Sequence, residues 1–269
     1  MLIDTHCHIN MMVKEAFDRT LTTQEIDKAQ TISAQARTAA VTTIINVGTN
    51  IIESKNCIAL AQKYPEMYAT IGIHPNDATD TWHSECAQLL TLLQQKNSLK
   101  IVGIGECGID KHYKDYNLRR QQDVFKAQIE LALEYDVGLV IHSRDAADET
   151  LKIVSEYKKQ LTRAVMHCFS YDQSIATDVI NMGLLLGIGG TVTYPKNNEL
   201  RSIILNTTLA NIVLETDAPF LAPQEFRGTQ NNPAHIRTIA EFIAKLRGES
   251  FETVAQATTV NAKRLFGLN

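Results

Sequence analysis

Two histidines one residue apart, in Asp4-Thr5-His6-Cys7-His8, follow the short apolar opening Met1-Leu2-Ile3. If that opening is a buried strand, residues two apart point to one face. His6 and His8 then project together from the strand's end as two neighbouring nitrogen ligands. The pattern recurs along the chain. His74 follows the apolar stretch 68–73, Glu106 follows 100–105, His142 follows 138–141, His167 follows Ala164–Met166 and Asp217 follows 212–216. Imidazole nitrogens mixed with carboxylate oxygens suit zinc, manganese or nickel; magnesium is less natural, because it prefers oxygen donors alone. The histidines His6, His8, His142 and His167 with the acids Glu106 and Asp217 exceed what one tetrahedral ion takes. Two divalent ions sharing a carboxylate is the economical arrangement. Such a pair acidifies a bridging water and neutralises charge on phosphoryl oxygens, which is hydrolytic chemistry.

Residues that all stand at strand ends need an alternating architecture behind them. Thr22-Thr23-Gln24-Glu25 reads as a capping box opening a helix to about residue 40, and the β-branched run 41–47 is a strand closed by Gly48. A helix around 53–63 precedes the strand stopped by His74-Pro75, and one near 84–95 leads into strand 100–105. Phe125, Ile129, Ala132 and Leu133 recur at helical spacing before strand 138–141. Helices near 145–157, 173–181 and 198–209 then alternate with strands 164–166, 184–189 and 212–216. Two closing helices follow, one behind Asn232-Pro233 and one behind Ser250. The apolar runs are nearly continuous, as in parallel strands buried on both faces. The expected fold is α/β: one (β/α)8 TIM barrel, a single domain over residues 1–269, with an open doubly wound sheet as the alternative. Catalytic residues of a barrel gather at the C-terminal ends of its strands, which puts all seven candidates on one rim.

Composition narrows the setting. At 269 residues and 44% hydrophobic content the chain can bury a substantial core. It has no apolar run of about 18 residues and no charged-then-apolar leader, so no membrane association is expected. A net charge of −4 excludes a broad basic coat for nucleic acid. Five cysteines without paired spacing point to reduced thiols and a cytoplasmic location. Cys7, Cys107 and Cys168 each follow a candidate ligand, and alternation turns them into the layer between barrel and helices as packing residues. His83, His112 and His235 read as surface residues, while Glu215 shares Asp217's face and could orient a ligand.

In this order, DTHCHI at the start, IGIHP at 71–75, GIGECGID at 103–110, IHSRDA at 141–146, HCFS at 167–170, ETDAPFLAP at 215–223 and RGTQNNP at 227–233 are specific. Together they resemble the TatD family of metal-dependent deoxyribonucleases, within the amidohydrolase superfamily, over nearly the whole chain. The resemblance implies that His6, His8, Glu106 and Asp217 hold one ion. Glu106, His142 and His167 would hold the second, with Glu106 bridging where related barrels use a carbamylated lysine. It also implies exonuclease activity, so the expected substrates are single-stranded ends of DNA, with RNA or a small phosphodiester as alternatives, and no obligate protein partner is expected. Asp217 then serves as general base. His74 contacts a phosphate oxygen or protonates the leaving oxygen, or else is a structural residue fixed before Pro75. Arg144 can clamp phosphate with its planar fork, or pair with Asp145 or Asp148. Relatives commonly carry a basic residue within segment 227–233, where this chain has Thr229 and Gln230; Arg227 is left as the segment's cation, expected on the rim near Asp217. The competing functions are hydrolysis of a small amide, lactone or phosphoester on the same barrel, and a non-catalytic metal-bound binding protein.

Overall fold

The computed structural model describes residues 1–16 and 19–269. Its strands are β1 (Leu2–Cys7), β2 (Val41–Val47), β3 (Met67–Ile71), β4 (Ile101–Asp110), β5 (Gly138–Arg144), β6 (Ala164–Met166), β7 (Leu185–Ile188) and β8 (Ile212–Leu214). They pair in parallel, each with its successor in sequence. The ends of the ring meet where β8 returns to β1. There Thr5 Oγ1 donates to the Leu214 carbonyl at 2.9 Å, and the buried Asp4 carboxylate accepts the N–H and hydroxyl of Thr216 at 3.0 and 2.6 Å. A bridge between Cys7 and Ala218 completes the seam. The sheet is therefore a closed eight-stranded barrel and not an open one.

The helices that cover it are α1 (Ile9–Val13), α2 (Thr23–Thr38), α3 (Ile51–Lys63), α4 (Trp82–Leu93), α5 (Leu118–Glu134), α6 (Ala147–Tyr157), α7 (Gln173–Asn181), α8 (Asn198–Asn206), α9 (Ile236–Arg247) and α10 (Phe251–Phe266). Side-chain caps start several of them: the Thr22–Glu25 capping box opens α2, and Asn50, Asn117, Asp172 and Ser250 cap α3, α5, α7 and α10. Asn232-Pro233 opens a single 3-10 turn before α9. No helix among the described residues is long and apolar enough to cross a membrane.

Two apolar clusters result. The larger lies between barrel and helices. The smaller fills the barrel's lower interior with Ile3, Ile45, Val47, Val140, Val165, Leu185 and Val213, and Leu265 and Phe266 of α10 pack against it. Apolar filling below leaves the upper interior to polar groups.

Three strands run further than their apolar stretches. β1 continues through Cys7, β4 to Asp110 and β5 to Arg144. Ladder hydrogen bonds use backbone groups, so a strand continues through polar residues wherever their side chains share a polar interior. β4 also slips register against β5 between Ile104 and Cys107, a bulge-like irregularity that re-aims the intervening side chains. Glycine is required beside it: a Cβ on Gly108, at φ +147, would lie 1.9 Å from the His142 carbonyl oxygen.

Candidate metal centre

Each donor is fixed by its backbone before its side chain is considered. The Glu106 N–H donates to Gly48 O, that of His167 to Ile141 O, that of Asp217 to His6 O and that of His8 to Ala218 O. Three of these bonds tie the ends of neighbouring strands together, and the Glu106–Gly48 bond reaches from β4 past β3 to the end of β2; together they bring the side chains to the barrel mouth. His6, His8, Glu106 and His167 are buried, while His142 and Asp217 are partly exposed to a cavity of about 700 Å³.

Glu106 organises the centre by dividing its two oxygens. Oε1 lies 2.7 Å from His142 Nδ1 and 2.8 Å from His167 Nε2. Oε2 lies 3.5 Å from His6 Nε2 and 3.8 Å from His8 Nε2. Asp217 Oδ1 joins the second group, 3.6 Å from His6 Nε2 and 3.5 Å from His8 Nε2. One set of donors is thus His6, His8, Asp217 and Glu106 Oε2; the other is His142, His167 and Glu106 Oε1.

The outer ring nitrogens of His8 and His142 are held as a cation site requires. His8 Nδ1 donates to the Val47 carbonyl at 2.9 Å, so its Nε2 presents a lone pair to the centre. His142 Nε2 donates to Asp110 Oδ2 at 3.0 Å, which leaves Nδ1 as the lone pair facing Glu106. His6 and His8 bring their Nε2 atoms within 3.1 Å of each other, close enough to share one proton or to face one cation together. Such outer-nitrogen partners are the usual means of orienting a metal-ligating imidazole.

Electrostatics agree. Burial opposes ionisation of Glu106, but positive charge on His167, and the hydrogen bonds that His142, His167 and His6 give when their rings are protonated, outweigh it and hold the carboxyl well below its ordinary range. Burial likewise opposes ionisation of Asp217, and His8 and His6 reverse the effect. Burial disfavours charge on His8, His142 and His167 too, yet facing carboxylates raise all three. The centre demands positive charge, carried by ring protons or by metal ions.

Asp110, which the apolar pattern did not reveal, is a full participant. It accepts His142 Nε2, the His112 N–H at 2.8 Å and Asn76 Nδ2 at 3.0 Å. Burial works against it, but these donors hold its carboxyl at about 2. It also forms a compact group with His74 and His142. Glu215 lies behind His167, with Oε1 3.7 Å from Nδ1, and accepts the Cys168 N–H at 2.5 Å. β8 ends at Leu214 and Asp217 turns at φ +55, so the place of Glu215 beside a candidate ligand does not come from strand alternation with Asp217.

His74 stands at the edge of the centre, its Nε2 3.6 Å from Glu106 Oε1. Its Nδ1 accepts the Asn76 N–H at 3.2 Å, so Nε2 carries the proton and faces the centre. Burial pushes its pKa down to about 3, which makes it a neutral donor at neutral pH. Arg144 is exposed and lines the cavity, and it makes no ion pair with Asp145 or Asp148 among the described residues. Arg227 does not line this cavity: its guanidinium lies 4.7 Å over the Tyr194 ring, and Thr229 turns back to the Phe226 carbonyl.

The cysteines divide. Cys7 and Cys107 are buried, their sulfurs against backbone carbonyls of neighbouring strands. Cys168 instead lines the cavity, because β6 ends at Met166 and the chain turns at φ +46, which breaks the alternation. His83 and His112 are exposed; His235 is half-buried, stacked on Phe226 at 3.9 Å.

Ring nitrogens and carboxylates converging at one mouth of a parallel barrel define a metallohydrolase architecture. Similarity to known proteins narrows it. The model of the family described as TatD related DNase matches residues 3–267. Over 269 residues, 100% of both chains, the sequence is 34% identical to the uncharacterized metal-dependent hydrolase YabD of Bacillus subtilis (strain 168). Over 255 residues, 92% of this chain and 97% of the other, it is 33% identical to the 3'-5' ssDNA/RNA exonuclease TatD of Pectobacterium atrosepticum. The crystal structure of YjjV, a TatD homologue from Escherichia coli K12, superposes with a TM-score of 0.87 at 30% identity, over 100% of this chain and 98% of that one. This chain belongs to the TatD family of metal-dependent hydrolases.

Proposed function

We propose that this hydrolase cleaves phosphodiester bonds of nucleic acid, removing nucleotides from single-stranded ends. The observation that carries the reading is the division of Glu106, one oxygen toward His142 and His167 and the other toward His6 and His8. His6, His8 and Glu106, with Asp217 beside both histidines, would hold one divalent ion; Glu106, His142 and His167 would hold another. When bound, such ions supply Lewis acidity, lowering the pKa of water and neutralising charge on phosphoryl oxygens.

The remaining work falls to side chains around the cavity. Asp217 stays ionised and lines the cavity, so it can take the proton of the attacking water. His74 is neutral with Nε2–H turned inward, so its role is to donate to a phosphate oxygen, not to deliver a proton as an imidazolium. Arg144 offers a planar cation to a nonbridging oxygen of the same phosphate. A neutral amide or lactone has no anionic oxygen for Arg144. The named activity of the Pectobacterium relative supports single strands as substrate and the strand end as the point of attack.

The test is a panel of end-labelled single-stranded DNA and RNA, bis(nitrophenyl) phosphate, amides and lactones, each with added magnesium, manganese, zinc or nickel. Cleavage of the oligonucleotides into mononucleotides supports the proposal. Turnover of an amide or lactone alone would reject it.

A further inference from the structure

A second cavity of about 450 Å³ adjoins the catalytic one, within the size range of small-ligand pockets. The two share a wall made by Asn76 and Tyr113. Tyr116 lines the second cavity and not the first. Tyr113 is 55% exposed and Tyr116 39%, a large apolar area to leave in water beside an active site. We propose that this cavity seats a nucleobase of the bound strand, one nucleotide removed from the bond being cut, with Tyr113 and Tyr116 as its stacking surface. The inference rests on the phosphodiesterase reading and extends it from a single bond to a strand.

The chemistry of the walls selects a base over a phosphate. Arg120 is the cation of this cavity, and its guanidinium is already held by Asp80 and by the Ala78 carbonyl. Asp115 adds a negative charge to the same walls. An anionic phosphate would meet no free positive charge there. Two amides are only half used. Asn76 gives its Nδ2 to Asp110, and its Oδ1 takes no hydrogen bond among the described residues. Asn117 caps α5 through Oδ1, and its Nδ2 makes none. The cavity lining therefore carries an unused amide acceptor, an unused amide donor, a carboxylate and two phenol rings, the complement of a neutral heteroaromatic ring with polar edges. The wall is also joined to the reaction site, because Asn76, Asp110 and His142 form one hydrogen-bonded chain. A nucleotide passing Tyr113 would leave its phosphate in the catalytic cavity and its neighbour's base in the second.

The experiment compares the parent with Tyr116→Ala and Tyr116→Phe. Tyr116 makes no side-chain hydrogen bond among the described residues and is 39% exposed, so its truncation is expected to leave the fold intact. Binding is read from single-stranded DNA tetranucleotides with phosphorothioate linkages, each carrying 2-aminopurine at one position, whose fluorescence is quenched on stacking. Cleavage is read in parallel on a dinucleotide and a tetranucleotide. One 2-aminopurine position should be quenched in the parent and in Tyr116→Phe and released in Tyr116→Ala. KM for the tetranucleotide should rise about 5- to 150-fold in Tyr116→Ala, the effect of losing one stacked base, with kcat changed by less than about twofold. The tetranucleotide-to-dinucleotide KM ratio should shift with it. A parent that cleaves both substrates, with quenching and KM ratio the same in all three proteins, overturns the subsite and leaves the phosphodiesterase reading standing. A parent that cleaves neither these nor bis(nitrophenyl) phosphate overturns that reading, and the subsite with it.

Discussion

His142 donates through Nε2 to Asp110 Oδ2 at 3.0 Å, and this bond decides which face of the imidazole meets Glu106. Asp110→Asn keeps the shape but replaces an ionised acceptor with an amide. The expected result is a loss of about 10- to 100-fold in metal affinity or activity, as for other partners of metal-ligating imidazoles. Metal titration of the variant checks it; an unchanged affinity would mean that Asp110 does not orient His142.

Six donors in two sets should take about two divalent ions per chain, with hydrolysis lost on chelation and regained on adding metal back. Elemental analysis of reconstituted protein checks the count. One ion or none, with activity intact in chelator, would refute it. Because ring nitrogens must be unprotonated to ligate, ion affinity should also fall as the solution is acidified.

Asp217→Asn should cost about 10²–10⁴ in rate at saturating metal, the usual scale for loss of a general base. His142→Ala should act through the other donor set and be partly rescued by excess metal. Near-normal turnover of Asp217→Asn at saturating metal would remove Asp217 from the chemistry.

Much of this centre was legible in the sequence, for a physical reason. A parallel strand buried on both faces must be apolar until it reaches the barrel mouth, so the first polar residue after each run marks the rim. Glu106, His142 and His167 fell to that rule; His6 and Asp217 stand two residues past the first polar one, behind Asp4-Thr5 and Glu215-Thr216. The same rule missed Asp110, because β4 continues past Glu106 through Cys107, Gly108 and Ile109, and a later polar residue on one strand looks like the start of a loop. It also misplaced Cys168, since strand alternation was extended beyond the end of β6. The Val47 carbonyl that fixes His8 has no sequence signal at all, because every residue carries a carbonyl.

Gly108→Ala tests the β4–β5 junction without touching a donor. The new Cβ would fall 1.9 Å from a backbone oxygen that belongs to His142, and the backbone there has φ +147. The strands must part or the chain must shift, at a cost of about 2 kcal/mol or more. A lowered melting temperature together with weakened metal binding is expected; native stability would show that the junction gives way easily.

Acid stability should depend on Glu53, which is buried on α3 and is not one of the candidate metal ligands. Burial opposes its ionisation, but Lys14, Asn10 and Asn56 outweigh burial and hold it below its ordinary value of 4.5. A depressed folded-state pKa contributes stability that is complete above the unfolded value and lost as pH falls toward the folded one. Glu53→Gln should therefore lower the melting temperature at neutral pH and flatten its decline below about pH 4.5. Parallel melting curves for variant and parent would remove Glu53 from the acid transition.

The seam between β1 and β8 sets an order of events during synthesis. Glu106, His142 and His167 come from β4, the end of β5 and the turn after β6, so a growing chain holds one complete donor set once it reaches residue 167. The other set joins His6 and His8, among the first residues made, to Asp217, more than two hundred positions later. It can form only when β8 has emerged and Asp4 has found Thr216. A ribosome-bound fragment that ends before Asp217 thus lacks the group assigned to take the water's proton. If Asp217 takes that proton, hydrolysis must wait for completion of the ring.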